Sequence, residues 1–339
     1  MEEEILLSEY STFKLGGKAR YFFVVNNLES LVEAFSFARD KNLPVFILGG
    51  GSNTLFSDDG FNGVVIKVGL LGKNIITEDE DSVEIEVSSG ETWDDFVKWS
   101  VANNFSGIEN LSGIPGVVGA SVIQNIGAYG TEISSVVSSV KYYDPTLGEV
   151  KNISNGDCEF EYRSSIFKNK LKHSVVLSVV YKLNKKHKYE LAYEDIRIHF
   201  EKMNISDPSL KDVRNAVLDI RSKKMPDLSK YGTAGSYFKN VIVNRKEAEY
   251  FLNEYKDAKF WELPNGLVKI SSAWVLDHVL NIRGIRVGNV GTAENQALVI
   301  VNFGGSSSFE VKNFAEEIKK NFFEKTKLNL EEEICYVGF

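Results

Sequence analysis

Apolar residues recur along this chain with two periods, and those periods place most of its elements. Leu31, Ala34, Phe35 and Ala38 share a helical face, predicting a helix over 26–42 opened by Asn26 and Glu29 as a capping box. The run Val45-Phe46-Ile47-Leu48 predicts a strand entering Gly49-Gly50-Gly51-Ser52-Asn53, and a turn at Asp58-Asp59-Gly60 leads to another strand over 64–66. Alternation at Val83, Ile85 and Val87 predicts a strand. Trp93, Phe96, Val97 and Val101 then predict a helix capped by Thr92, with Asp95 returning the cap. Strands are expected over 137–143 and 175–181, the first turning back through Pro145-Thr146-Leu147-Gly148. A polar stretch, 184–188, leads through Tyr193 to a helix that starts near Pro208, carries Leu210, Val213, Val217 and Ile220 on one side, and stops at Pro226. Helices near 245–255 and 271–280, a strand over 298–301 and a helix over 309–325 follow. The order is α+β in several lobes, with breaks near Leu70 and Arg221, and no internal repeat.

Composition narrows the class. With 339 residues, 43% of them hydrophobic, the chain can bury a core and divide into two or three domains. Two cysteines, Cys158 and Cys335, are too few for a disulfide framework and point to a reducing compartment. The N-terminal Met1-Glu2-Glu3-Glu4-Ile5 is acidic where a leader would be basic and apolar, and no apolar run approaches the roughly 18 residues that span a bilayer. A cytoplasmic protein without a membrane partner is expected. A net charge of -8 argues against a broad nucleic-acid surface while allowing a local cationic pocket. His173, His187, His199 and His278 are scattered without metal-ligand spacing, so no metal is expected.

Glycine placement carries the candidate chemistry. Gly49-Gly50-Gly51-Ser52-Asn53 joins strand to strand, unlike the strand-to-helix setting of a Rossmann or P-loop site. Alone it reads first as a flexible turn and second as an anion nest. A second segment shifts that weighting: Gly113-Ile114-Pro115-Gly116-Val117-Val118-Gly119-Ala120, followed by Gln124-Asn125-Ile126-Gly127-Ala128-Tyr129-Gly130. Such spacing lets backbone lie along a pyrophosphate and against a flat ring. Two separated nests suggest a dinucleotide.

Taken in order, these segments resemble the UDP-N-acetylenolpyruvoylglucosamine reductase (MurB) family essentially end to end. Ser11-Thr12-Phe13-Lys14-Leu15-Gly16-Gly17-Lys18-Ala19 resembles its opening signature. The segments 158–167 (Cys-Glu-Phe-Glu-Tyr-Arg-Ser-Ser-Ile-Phe), 235–240 (Gly-Ser-Tyr-Phe-Lys-Asn) and 296–299 (Gln-Ala-Leu-Val) match later blocks. The resemblance implies an FAD-binding fold of the vanillyl-alcohol-oxidase type in two lobes, residues 1–70 with 327–339 and residues 71–221. A substrate lobe over 222–326 completes it. Non-covalent FAD would lie along Leu48, Gly49, Gly50, Gly51, Ser52 and Asn53, and along Gly113, Ile114, Pro115, Gly116, Gly119, Ala120, Asn125, Gly127, Ala128, Tyr129 and Gly130.

The implied reaction reduces an enol ether bearing a carboxylate, with NADPH as reductant, to give UDP-N-acetylmuramate. Arg163 matches the family's catalytic arginine, and its charged fork suits a carboxylate that becomes an enediolate. Ser236 matches the proton donor, although a serine hydroxyl alone reads as a loop group bonding local backbone. Glu333 matches the assisting acid. The family run is Leu-Glu-Pro-Glu and this chain has Leu330-Glu331-Glu332-Glu333, which leaves Glu331 as the fallback. Tyr162 is implied as a substrate residue, Tyr193 as the diphosphate-covering tyrosine of the longer class, and Lys224, Asn240, Arg283 and Gln296 as holders of the uridine diphosphate. Val241 and His278 stand where the family often has Pro and Gln. The partner is a small molecule, and a monomer is expected. Open alternatives are a flavin oxidase of the same fold, less favoured because neither glycine segment offers a His or Cys for covalent attachment, and a non-catalytic nucleotide-binding relative.

Overall fold

The computed structural model describes residues 1–186, 191 and 193–339, so part of the polar stretch read at 184–188 and Ala192 before Tyr193 lie outside the described residues. These residues form two compact units: Met1–Ile5, Ala19–Gly50 and Asn62–Ser222 make the first, and Leu6–Lys18, Gly51–Phe61 and Lys223–Phe339 the second.

In the first unit, Val45–Leu48 runs parallel to Phe61–Val68, which also neighbours Lys18–Val25. Helix Leu28–Asp40 buries Leu31, Ala34 and Ala38, as its stripe predicts. Its cap sits one residue later than expected. Leu28 is the first helical residue, so Asn27 accepts from the Ser30 amide at 2.8 Å and Ser30 completes the box. An antiparallel five-stranded sheet follows in the order Glu149–Ser154, Val137–Asp144, Val175–Asn184, Ser82–Ser88, Lys73–Glu78. Helix Trp93–Ala102 packs Trp93, Phe96 and Val97 against it, with the Phe96 and Tyr181 rings 5.0 Å apart. Each fully buried side chain of this size contributes roughly 1.5–3 kcal/mol. Here too the expected cap differs. Thr92 makes no side-chain cap; the Trp93 amide at the helix start donates instead to Gly116 O at 3.0 Å, and Thr92 bridges Val117. The glycine segment thus closes the helix that positions it. Helix Glu194–Met203 escapes the pattern because only Ile196 and Phe200 are buried on it.

The second unit has one main core, in which helix Ser308–Thr326 lays Val311, Ala315, Ile318 and Phe322 against Phe13, Leu55, Tyr237, Phe238 and Ile300. Two three-stranded sheets frame it, Val241–Val243, Val268–Ile270, Phe260–Glu262 and Arg286–Val287, Val290–Ala293, Gln296–Asn302. The last strand, Cys335–Val337, pairs in parallel with Thr54–Phe56, joining the chain's end to the segment after the first glycine run. Among the described residues no helix is long and apolar enough to cross a membrane, and no cluster of His, Cys, Asp and Glu could hold a metal.

Candidate active site

Leu48, 1% exposed, ends its strand at Gly49-Gly50, and there two backbones meet. A Cβ on Gly50 would lie 2.7 Å from Gly116 Cα, and one on Gly49 would lie 3.0 Å from Val117. The two glycine segments of the first unit therefore face each other at a separation only glycine allows. Lys67 Nζ donates to the Gly49 carbonyl, and burial lowers its pKa. Gly113 has φ +72°, and its amide donates to Asp94 Oδ1 at 2.6 Å. Asp94 is in turn gripped by Arg214 at 2.7 and 2.8 Å. Burial would raise the Asp94 pKa, but Arg214 and the Gly113 amide outweigh it and hold the carboxyl below its usual range. The contribution is therefore complete above about pH 4 and fades as pH falls through the depressed value. Ile114, Pro115 and Gly116 lead into a short helix, Val118–Ile123, which includes Gly119 and Ala120. Gly119 is tied to Ser89 O at 2.9 Å, leaving no room for a side chain.

Beyond that helix, Gly127–Ala128 pairs with Thr131–Glu132 across Tyr129 (φ 49°) and Gly130 (φ 85°). Two successive positive φ values give the turn whose twist suits a two-residue hairpin. Burial, opposed by Arg221 and aided by Asp195, pushes the Tyr129 hydroxyl up to about 12, and the Tyr193 ring meets Tyr129 edge-on at 5.3 Å.

Arg163 is held in an unusual way. Glu161 and Ser164 exchange both backbone hydrogen bonds at 3.1 Å, closing a tight turn with Tyr162 and Arg163 at its tip. Arg163 has φ 54°, a left-handed conformation that few non-glycine residues adopt. Its guanidinium donates to Gly127 O at 2.9 Å and stacks over Tyr162 at 5.2 Å. Asn125, 1% exposed, bonds the Glu161 carbonyl and the Glu132 carboxylate at 3.1 and 3.0 Å, linking this turn to the glycine hairpin. Leu48, Gly49, Gly50, the segment 113–130, Tyr162, Arg163 and Tyr193 thus belong to one unit.

The second unit holds the rest. Gly51 has φ +62° and packs against Tyr10 O, and the Thr12 amide donates to Gly51 O at 3.1 Å. Ser52 follows, and Asn53 Nδ2 donates to Glu333 O at 3.1 Å. Ser236, half-buried after Gly235 (φ +76°), bridges Val299. Glu333 N–H donates to Tyr237 O at 2.8 Å, so the serine segment and the glutamate segment are paired backbones. Glu331 is turned outward, 72% exposed and bound to Lys239 at 3.0 Å, whereas Glu333 is half-buried. Asn240 accepts from the Ser272 amide at 3.1 Å, and Gln296 accepts from the Leu298 amide at 3.4 Å. Lys224 is the last residue of helix Leu210–Lys224, and Arg283 is exposed and bound to Asp277 at 3.2 Å.

Residues 19–154 match a family model described as an FAD binding domain, and residues 227–337 match the C-terminal domain of UDP-N-acetylenolpyruvoylglucosamine reductase. The UDP-N-acetylenolpyruvoylglucosamine reductase of Flavobacterium johnsoniae is 42% identical, covering 98% of each chain. The chain belongs to this family. The enzyme of that name from Pseudomonas aeruginosa is 35% identical, again over 98% of each chain. The crystal structure of MurB from Thermus caldophilus superposes with a TM-score of 0.68 at 23% identity, covering 99% of this chain and 98% of that one, and shows a shared fold.

The FAD binding domain match spans the first glycine segment and the second, and the two are held against each other at glycine positions. The missing Cβ atoms of Gly49 and Gly50 let the first segment pack directly on Gly116 and Val117 of the second, which fixes the backbone along which FAD would lie. Gly50→Ala is expected to force these backbones apart, an overpacking cost of about 1–3 kcal/mol that appears as weaker FAD retention in a fluorescence titration of the apoprotein.

Three residues near this site escape a reading by motif. Arg214 and Arg221 lie seven apart on the apolar side of helix Leu210–Lys224, and Arg221 packs beside Gly113 and meets the Tyr129 hydroxyl. Charges on an otherwise apolar stripe are the signal that reveals them, since such residues are buried only when paired. Lys67, inside an apolar strand, carries the same signal.

Proposed function

We propose that this protein reduces UDP-N-acetylglucosamine enolpyruvate to UDP-N-acetylmuramate at the expense of NADPH. The reading is carried by the family likeness over 98% of each chain, with Arg163, Ser236 and Glu333 all present in their motifs. The glycine faces support FAD as the bound group, along the 48–53 and 113–130 segments. The chemistry that FAD would supply there is hydride transfer between NADPH and the methylene carbon of the enolpyruvyl group.

Addition of hydride to that carbon breaks the C=C π bond and leaves an electron pair conjugated with the carboxylate. The Arg163 guanidinium, fixed by its turn and by Gly127, holds the carboxylate as its charge grows, which is the kind of preorganised donor that stabilises an enolate. Ser236 Oγ gives its proton to the carbon bearing the ether oxygen, completing a net gain of hydride and proton, and is reprotonated from solvent. Glu333 assists the enolate as its acid; the outward ion pair of Glu331 with Lys239 supports Glu333 over the fallback. Tyr162, Tyr193, Lys224, Asn240, Arg283 and Gln296 bind the sugar nucleotide, with Tyr193 covering its diphosphate. The enzyme acts as a cytoplasmic monomer on a small molecule, without nucleic acid or membrane.

Purified protein is expected to be yellow, to consume about one NADPH per flavin on its own, and to turn over NADPH beyond that only when the enolpyruvyl sugar nucleotide is added, one for one with product. Colourless protein that takes up no FAD, or NADPH loss indifferent to the sugar nucleotide, contradicts the proposal.

A further inference from the structure

The segment that carries Glu333 departs from the family pattern at a single position, and the structure supplies a substitute there. Proline in Leu-Glu-Pro-Glu would fix its own φ and restrict the residue before it, removing backbone freedom beside the acid. Glu332 does neither. Its carboxylate instead accepts from Lys319 Nζ at 2.7 Å, and Lys319, on helix Ser308–Thr326, also meets Glu316 at 3.1 Å. The Glu332 and Lys319 side chains are 18% and 28% exposed, so water screens this pair less than it does an exposed one. Tyr336 bonds both Glu332 and the Tyr237 hydroxyl, the latter at 2.7 Å, which ties the same carboxylate to the residue after Ser236.

The main chain shows why either solution works. Glu333 N–H donates to Tyr237 O and Lys239 N–H donates to Glu331 O, at 2.8 and 2.9 Å, with Phe238 opposite Glu332. Neither bond uses the N–H of residue 332, so a proline there would leave the pairing intact.

We propose that Lys319 is a positioning residue which, by clamping Glu332, fixes the segment presenting Glu333 beside Ser236 and does by ion pairing what proline does in the family pattern. The proposal rests on the roles given above to Ser236 and Glu333.

The test uses the FAD-loaded full chain. Lys319→Met, which keeps length and drops charge, is expected to leave flavin reduction by NADPH within about twofold while slowing reduction of the sugar nucleotide about tenfold or more, mainly in kcat. Amide hydrogen exchange over 330–334 is expected to quicken at the same time. Adding Glu332→Pro to Lys319→Met should recover most of the lost rate and protection. Equal slowing of both half-reactions, an unchanged rate, or no rescue by proline in a folded protein overturns the proposal. Should Lys319→Met not fold, Glu332→Gln, which keeps shape and drops the charge, is read by the same half-reactions and exchange and overturns the proposal on the same results. Ser236→Ala and Glu333→Gln run alongside: an intact second half-reaction in both shows that the site assignment itself has failed, a result distinct from failure of the clamp alone.

Discussion

Replacing Ser236 by alanine is expected to leave flavin reduction by NADPH within about twofold of wild type and to slow reduction of the sugar nucleotide by about 10²–10⁴-fold, the usual contribution of a positioned general acid. The asymmetry follows from what a serine can do. Its hydroxyl is far too weak an acid to act on a neutral alkene, and it gives up a proton only to a carbon made strongly basic by hydride addition. The first half-reaction makes no such carbon. Ser236 sits on a backbone fixed on both sides, by the bridge to Val299 and by Tyr237, whose amide donates to Leu298 O at 2.8 Å. Removing one oxygen should therefore leave the segment in place. Rapid mixing of NADPH with enzyme, and of reduced enzyme with sugar nucleotide, separates the two steps; equal losses in both would remove Ser236 from the role of proton donor.

Arg163→Met is expected to lower the rate of the second half-reaction by about 10²–10³-fold, as loss of a preorganised charge facing a developing anion does elsewhere. Arg163→Lys should recover little, since an ammonium cannot reproduce the fork that bonds the Gly127 carbonyl and faces a carboxylate together. The left-handed backbone adds a second expectation. Arg163→Gly relieves about 1–3 kcal/mol of strain, so a variant without catalysis should still fold and be as stable as wild type in thermal unfolding. A stable, folded Arg163→Met enzyme with an unchanged second half-reaction would show that the turn serves structure alone.

Much of the fold was legible because long stripes leave few choices. Leu31, Ala34 and Ala38, spaced three and four apart, fall on one face in a helix and not in a strand, and Val311, Ala315, Ile318 and Phe322 are buried with the same spacing. Caps were less legible, since they depend on what else reaches a helix end: Thr92 makes no cap bond, and the first amide of that helix, Trp93, is held by Gly116 O from another segment. Helix Glu194–Met203 and the three-residue strands Val241–Val243, Phe260–Glu262 and Val268–Ile270 offer too few buried positions for any period to show.

The candidate site divides along the same line. Gly49, Gly50 and Gly116 stand out in the sequence, and their close approach gives that placement a physical reason. The roles of Arg163, Ser236 and Glu333 came from family resemblance, because nothing in their spacing declares a shared reaction. Asp94 with Arg214 and Lys319 with Glu332 are invisible to motif reading, as each pair joins a helix to another element through tertiary packing.

The most direct test of the central claim is a single anaerobic mixing experiment. Enzyme reduced with one equivalent of NADPH is combined with UDP-N-acetylglucosamine enolpyruvate, and the flavin's visible absorbance is followed. The account predicts that the colour returns rapidly, with one enolpyruvyl group consumed and one UDP-N-acetylmuramate formed per flavin. A flavin that stays reduced until oxygen is admitted would contradict it.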